Sequence, residues 1–90
     1  MKQKELLIYG RVQGVGFRYF TWKQTKNIGI RGFVKNLNDG SVQVIAKGNT
    51  EQLTQFCQIL KRGSIFAKVS QIIEKDYLGE VSGEKFYVKY

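Results

Sequence analysis

The feature that most limits the fold of this chain is a change of hydrophobic period that happens twice. Leu6, Ile8, Gly10 and Val12 alternate with Leu7, Tyr9 and Arg11, the two-residue period of a strand. The run stops in Gln13-Gly14-Val15-Gly16. From Phe17 to Ile28 the inward positions become Phe17, Phe20/Thr21, Gln24/Thr25 and Ile28, a helical stripe closed by Gly29. Alternation returns over Ile30–Leu37, Asn38-Asp39-Gly40 predicts a hairpin turn, and Ser41–Lys47 predicts a third strand closed by Gly48. The helical period then recurs. Asn49 or Thr50 can cap a second helix, with Gln52 three residues after Asn49. Leu53, Phe56/Cys57 and Leu60 form its inner face; Lys61 and Arg62 suit its negative end, and Gly63 stops it. Ala67, Val69, Gln71 and Ile73 predict a fourth strand, Leu78–Gly83 a loop, and Phe86, Val88 and Tyr90 a short last strand.

The order β-α-β-β-α-β, plus a terminal strand, predicts an α+β fold, the ferredoxin-like split βαβ sandwich. Its sheet is antiparallel in strand order 4-1-3-2, with both helices on one face. Ninety residues leave room for a single domain, 1–90. Area scaling implies that about 64% of the extended chain's surface is buried, enough for one two-layer core.

The chain has no His and one Cys, Cys57. A lone thiol makes no internal disulfide and suits a reducing, cytoplasmic setting. Zinc and other N/S-ligand metal sites are not expected, and no Ser-His-Asp or Cys-His triad can form. Cys57 sits on the inner helix face beside Phe56 with no evident cationic neighbour, so it is read as a packing thiol. The apolar run Leu6–Tyr9 is far too short to span a membrane, and no signal peptide is expected at the start. Fifteen basic residues against seven acidic give a net charge of +8. Such a surface attracts anions, whether nucleic acid, phosphorylated metabolites or acidic lipid.

The predicted topology brings two segments to one sheet edge. Strands 1 and 2 run in the same direction with strand 3 between them, so their ends, Gln13-Gly14-Val15-Gly16-Phe17-Arg18 and Lys35-Asn36-Leu37, fall on one edge about 10 Å apart. A Gly-rich turn feeding a helix start aims several N–H groups at one place, a nest for an anion. Arg18 adds a permanently charged planar fork suited to phosphate oxygens. The turn is neither a Walker loop, since no Gly-Lys-Ser/Thr follows, nor a dinucleotide fingerprint, since Tyr19 takes the third Gly position. Taken alone it is equally a plain tight turn with a surface Arg. Asn36 is one polar residue more than the hairpin needs, and a carboxamide can hold a water in line with a bound phosphorus.

Ile8-Tyr9-Gly10-Arg11-Val12-Gln13-Gly14-Val15-Gly16-Phe17-Arg18 resembles the first signature of the acylphosphatase family, and Gly32-Phe33-Val34-Lys35-Asn36-Leu37-Asn38-Asp39-Gly40-Ser41-Val42, continuing to Gly48, resembles the second. Both match without a gap, and the resemblance extends over essentially the whole chain. It implies the ferredoxin-like sandwich already reached from element order. It also implies hydrolysis of the carboxyl–phosphate anhydride of acyl phosphates, without metal or cofactor. Gln13, Gly14, Val15, Gly16 and Phe17 would cradle the phosphate through backbone amides. Arg18 would bind it and stabilise transition-state charge, and Asn36 would orient the attacking water. Ser64 follows Gly63 where many relatives have Pro, which bears only on local loop geometry. In some relatives the C-terminal carboxylate pairs with the active-site Arg, so Tyr90 is a candidate partner for Arg18. The expected ligands are a small acyl phosphate and inorganic phosphate or sulfate, with the protein a monomer and no membrane partner.

Other readings stay open at this level. One is a phosphate-recognition or carbamoyl-phosphate-binding module, as in hydrogenase-maturation carbamoyltransferases, against which the chain length argues. Another is an RNA-binding module. Arg31-Gly32-Phe33-Val34 resembles part of the aromatic octapeptide of RNA-recognition domains, but it lies on the second strand where that octapeptide belongs on the third. Trp22 and Tyr19 moreover fall on a helix, so no specific nucleic-acid partner is expected.

Overall fold

The computed structural model describes residues 1–90. In chain order the elements are β1 (Lys2–Arg11), α1 (Phe17–Ile28), β2 (Arg31–Asn36), β3 (Val42–Gly48), α2 (Thr50–Arg62), β4 (Lys68–Asp76) and β5 (Phe86–Lys89). The strands form one sheet in the order β4-β1-β3-β2-β5. β1 pairs antiparallel with β3 and β4, and β2 antiparallel with β3, which is the predicted four-stranded arrangement. β5 pairs parallel with β2, so the sheet is mixed rather than antiparallel throughout. The direction follows from where β4 ends. Its first residue, Lys68, is level with Arg11, and its last, Asp76, with Lys4. The chain therefore leaves β4 at the lower edge, where β1 begins, and a strand entered from there runs upward as β2 does. The Gln3 carbonyl accepts from the Tyr77 amide at 3.0 Å, and the Gln3 Nε2 donates to the Tyr77 and Gly79 carbonyls at 3.2 and 2.7 Å, pinning the start of that crossing.

Alternate residues of the strands, Leu6, Ile8, Val34, Val42, Val44, Ala46 and Phe86, pack against Phe17 of α1 and Leu53, Phe56 and Leu60 of α2. Both helices thus cover one face. Thr21 and Thr25 occupy buried positions on α1, and their hydroxyls donate to the Phe17 and Trp22 carbonyls, so neither is left unpaired. Ile45 faces the other side and is fully buried beneath its cross-strand neighbours Phe33 and Glu5. Gly32, at a φ of 133°, is required by close approach, since an added Cβ would overlap the Ile45 carbonyl oxygen. Asn49 caps α2 in a full capping box with Gln52.

The alternation read through Ala67, Val69, Gln71 and Ile73 does not hold. A bulge between Tyr9 and Gly10 shifts the β1–β4 register, so Val69 and Ile72 pack on the core while Ile73 lies exposed on the open face. Cys57 is buried as expected, and its Sγ donates weakly to Glu74 Oε2 at 3.8 Å. Lys61 is a cationic neighbour that pulls its pKa down, but burial, then the Glu74 charge, outweighs it and pushes the thiol up.

Candidate active site

The site begins where β1 runs out. Val12, the first residue past the strand, is buried, and the chain then bends through Gln13–Gly16 into α1. Gly14 and Gly16 both hold left-handed conformations, φ 75° and 76°, on either side of Val15. Each would cost a side-chain-bearing residue about 1 kcal/mol. This alternation of hand turns successive amides toward one side. None of the turn and cap hydrogen bonds is donated by the amides of Gln13, Gly14, Val15 or Gly16, and α1 has no side-chain N-cap. The free N–H groups and the positive end of the helix dipole fall together, an arrangement that favours an anion.

Asn36 reaches the same place from β2. In the register Asn36 lies opposite Val42, and Val42 opposite Ile8, so the amide occupies the helix-covered side in a row otherwise apolar. Its Oδ1 is buried with no donor in the protein. Such a group costs about 1–3 kcal/mol, and a native fold carries it only for a reason. A half-turn of the carboxamide presents either oxygen or NH2 to its surroundings, so it can accept from or donate to a small polar molecule.

Arg18, second in α1, takes part in no ion pair. Its guanidinium carbon lies 4.8 Å from the Tyr90 ring centroid, a stacking contact worth about 0.5–1 kcal/mol at an exposed site. Gly14, Gly16, Phe17, Arg18 and Asn36 line one cavity of about 220 Å³, together with Val12, Tyr19, Val88 and Tyr90.

The side chains of two residues named for their amides turn elsewhere, while the amides themselves stay undonated. Val15 faces a neighbouring groove. The Gln13 side chain instead donates to the Leu37 and Ser41 carbonyls at 2.7 and 2.8 Å. It thereby ties the cradle to the β2–β3 hairpin and sets the distance from cradle to Asn36. The Tyr90 carboxylate makes no ion pair, so the pairing with Arg18 drawn from relatives is replaced by ring stacking. Tyr19 and Val88 were not anticipated. Val88 arrives only because β5 runs upward beside β2.

The hairpin carrying Asn36 is held by Asp39, whose carboxylate accepts from the Ser41 hydroxyl and from the Ser41 amide at 2.9 Å. The Ser41 hydroxyl, then its amide, lowers the Asp39 pKa below the ordinary 3.8. The stabilisation is complete above 3.8 and is lost as pH falls through the lower folded value. Asp39→Asn should therefore reduce stability at neutral pH and flatten the acid limb of the stability curve below pH 4, read by urea melts across pH.

A ferredoxin-like sandwich whose sheet edge holds a cavity lined by Arg18, Asn36 and two turn glycines is thus the class of molecule that fold and site define. The acylphosphatase family model matches residues 4–88. The chain is 48% identical over 90 residues to the acylphosphatase of Pasteurella multocida (strain Pm70), covering the whole of both chains. The crystal structure of acylphosphatase from Bacillus subtilis superposes with a TM-score of 0.94 at 37% identity, again over the whole of both. An acylphosphatase from Coxiella burnetii gives 0.90 at 28% identity over 98% of this chain and 92% of that one. The chain belongs to the acylphosphatase family, and its activity is the hydrolysis of acyl phosphates.

Proposed function

We propose that hydrolysis proceeds by in-line attack of a water held by Asn36 on a phosphoryl group bound in the cradle of Gln13–Phe17 and by Arg18. The observation that carries this reading is the undonated Asn36 Oδ1 in a residue lining the same cavity as Arg18 and the cradle glycines.

The residues suffice for this chemistry. The leaving group is a carboxylate of low pKa, so the departing oxygen needs little protonation, and no histidine acid is required. A loose transition state spreads charge over the three equatorial oxygens, where fixed amides and the guanidinium meet it without reorganising. The water oxygen bonds to phosphorus as the bond from phosphorus to the acyl oxygen breaks. The carboxylate leaves with the electron pair, and the spare water proton goes to the phosphate.

On this reading the protein is a single-domain monomer that takes inorganic phosphate or sulfate as a competing ligand and needs neither metal nor cofactor. No helix is long and apolar enough to cross a membrane. The unpaired thiol of Cys57 suits a reducing, cytoplasmic compartment. Release of inorganic phosphate from acetyl or benzoyl phosphate in the presence of EDTA tests the proposal. The expected rate equals that without chelator, and its loss on chelation rejects the metal-free mechanism.

A further inference from the structure

The in-line requirement has a consequence on the far side of the cradle. Attacking and leaving oxygens lie on opposite sides of phosphorus. Along the upper sheet edge the cradle follows β1. Asn36 stands to one side, at the end of β2 beyond β3, and β4 stands to the other. Because Lys68 is level with Arg11, the segment from Gly63 to Ala67 reaches the same edge on the side away from Asn36. There a groove of about 520 Å³ is walled by Val15, Phe20, Ile65 and Phe66. It shares Gly16 and Tyr19 with the cavity that Arg18 and Asn36 line, and Asn36 is not part of it.

Five of its ten lining residues are apolar, set beside Lys23, Gln24 and Ser64, and the apolar side chains are open to solvent, with Ile65 94%, Phe66 73% and Tyr19 61% exposed. A contiguous apolar patch beside a polar centre marks a place where something apolar docks. The strand order places the groove across the cradle from Asn36. A phosphoryl group in the cradle, attacked from the Asn36 side, directs its acyl oxygen toward Gly16 and Tyr19 and so into this groove. We propose that the groove receives the acyl group, and that the preferred substrates are acyl phosphates with an aryl or medium-length alkyl acyl portion. The proposal rests on Asn36 and the cradle acting as described above. Ile65 and Phe66 are then specificity residues that touch only the acyl portion.

The test compares hexanoyl phosphate with acetyl phosphate, which carries only a single methyl group beyond its carboxyl carbon. In the double variant Ile65→Ser/Phe66→Ser, kcat/KM for hexanoyl phosphate should fall about tenfold, mostly through KM, the low end for apolar contacts in a specificity pocket. The value for acetyl phosphate and the inhibition constant of inorganic phosphate should stay within twofold. Both residues are exposed, and a folding defect would lower both substrates together, so the ratio is self-controlled. An unchanged ratio, whether both rates hold or both fall alike, overturns the proposal, including the case in which a protein partner covers the groove instead. If Arg18→Ala leaves both substrates at wild-type rates, the cradle reading itself fails; if Arg18→Ala suppresses both while the double variant keeps the ratio, only the groove assignment fails.

Discussion

Arg18→Ala should lower kcat/KM on an acyl phosphate by about 10³-fold and weaken competitive inhibition by inorganic phosphate in the same variant. A guanidinium that meets developing charge on a transferring phosphoryl group is worth about 10³–10⁵ in rate. The lower end applies because the amides of the turn and the start of α1 remain in place to share the charge. The variant should fold. Arg18 makes no ion pair, and its packing partner is the exposed Tyr90 ring, so about 1 kcal/mol or less is lost. Arg18→Lys restores a point charge but not the two-pronged geometry, so it should recover binding of phosphate more than turnover. Steady-state kinetics on benzoyl phosphate with a thermal melt on each variant decide it, and near-wild-type kcat/KM for Arg18→Ala refutes the role.

What could be read from the chain follows the range of the interactions that fix each element. α1 begins at Phe17 and ends at Ile28, as predicted, because left-handed Gly16 and Gly29 bracket it locally. The capping box at Asn49 is equally local. Asn36 was legible because the Asn38-Asp39-Gly40 turn does not need it, while its place on the helix-covered side with Gly32 and Val34 comes only from the register. β4 was misread on one face because a bulge near Gly10 exchanges the two sides midway, and alternation carries no mark of an inserted residue. The Gln13 tether spans 24 and 28 residues of sequence to Leu37 and Ser41. A glutamine in a Gly-rich turn reads as cradle backbone, and only the folded register shows that its side chain braces the opposite hairpin. The same holds for Tyr90, which meets Arg18 because β5 adds to the far edge of the sheet in parallel.

Asn36→Ala should separate chemistry from binding. If the carboxamide aims water, its loss lowers kcat by about 10²–10³-fold, the effect of removing one pre-aimed polar group from a preorganised site. Inorganic phosphate should still bind within a few-fold of wild type, since the cradle amides and Arg18 are untouched. A fall in kcat with ground-state binding preserved is the signature of a group acting mainly in the transition state. Stability supplies an independent readout. Asn36 Oδ1 is buried without a donor, so its removal takes away a desolvation cost of about 1–3 kcal/mol, and Asn36→Ala should melt no lower than wild type. A purely structural asparagine would behave in the opposite way, losing stability with little effect on kcat. Asn36→Asp adds a further contrast, because a carboxylate lining the same cavity as Arg18 repels the phosphoryl oxygens and should weaken phosphate binding as well as turnover. If phosphate binding collapses in Asn36→Ala while bound substrate is still turned over, Asn36 is a binding group and the water must be aimed from elsewhere in the cavity.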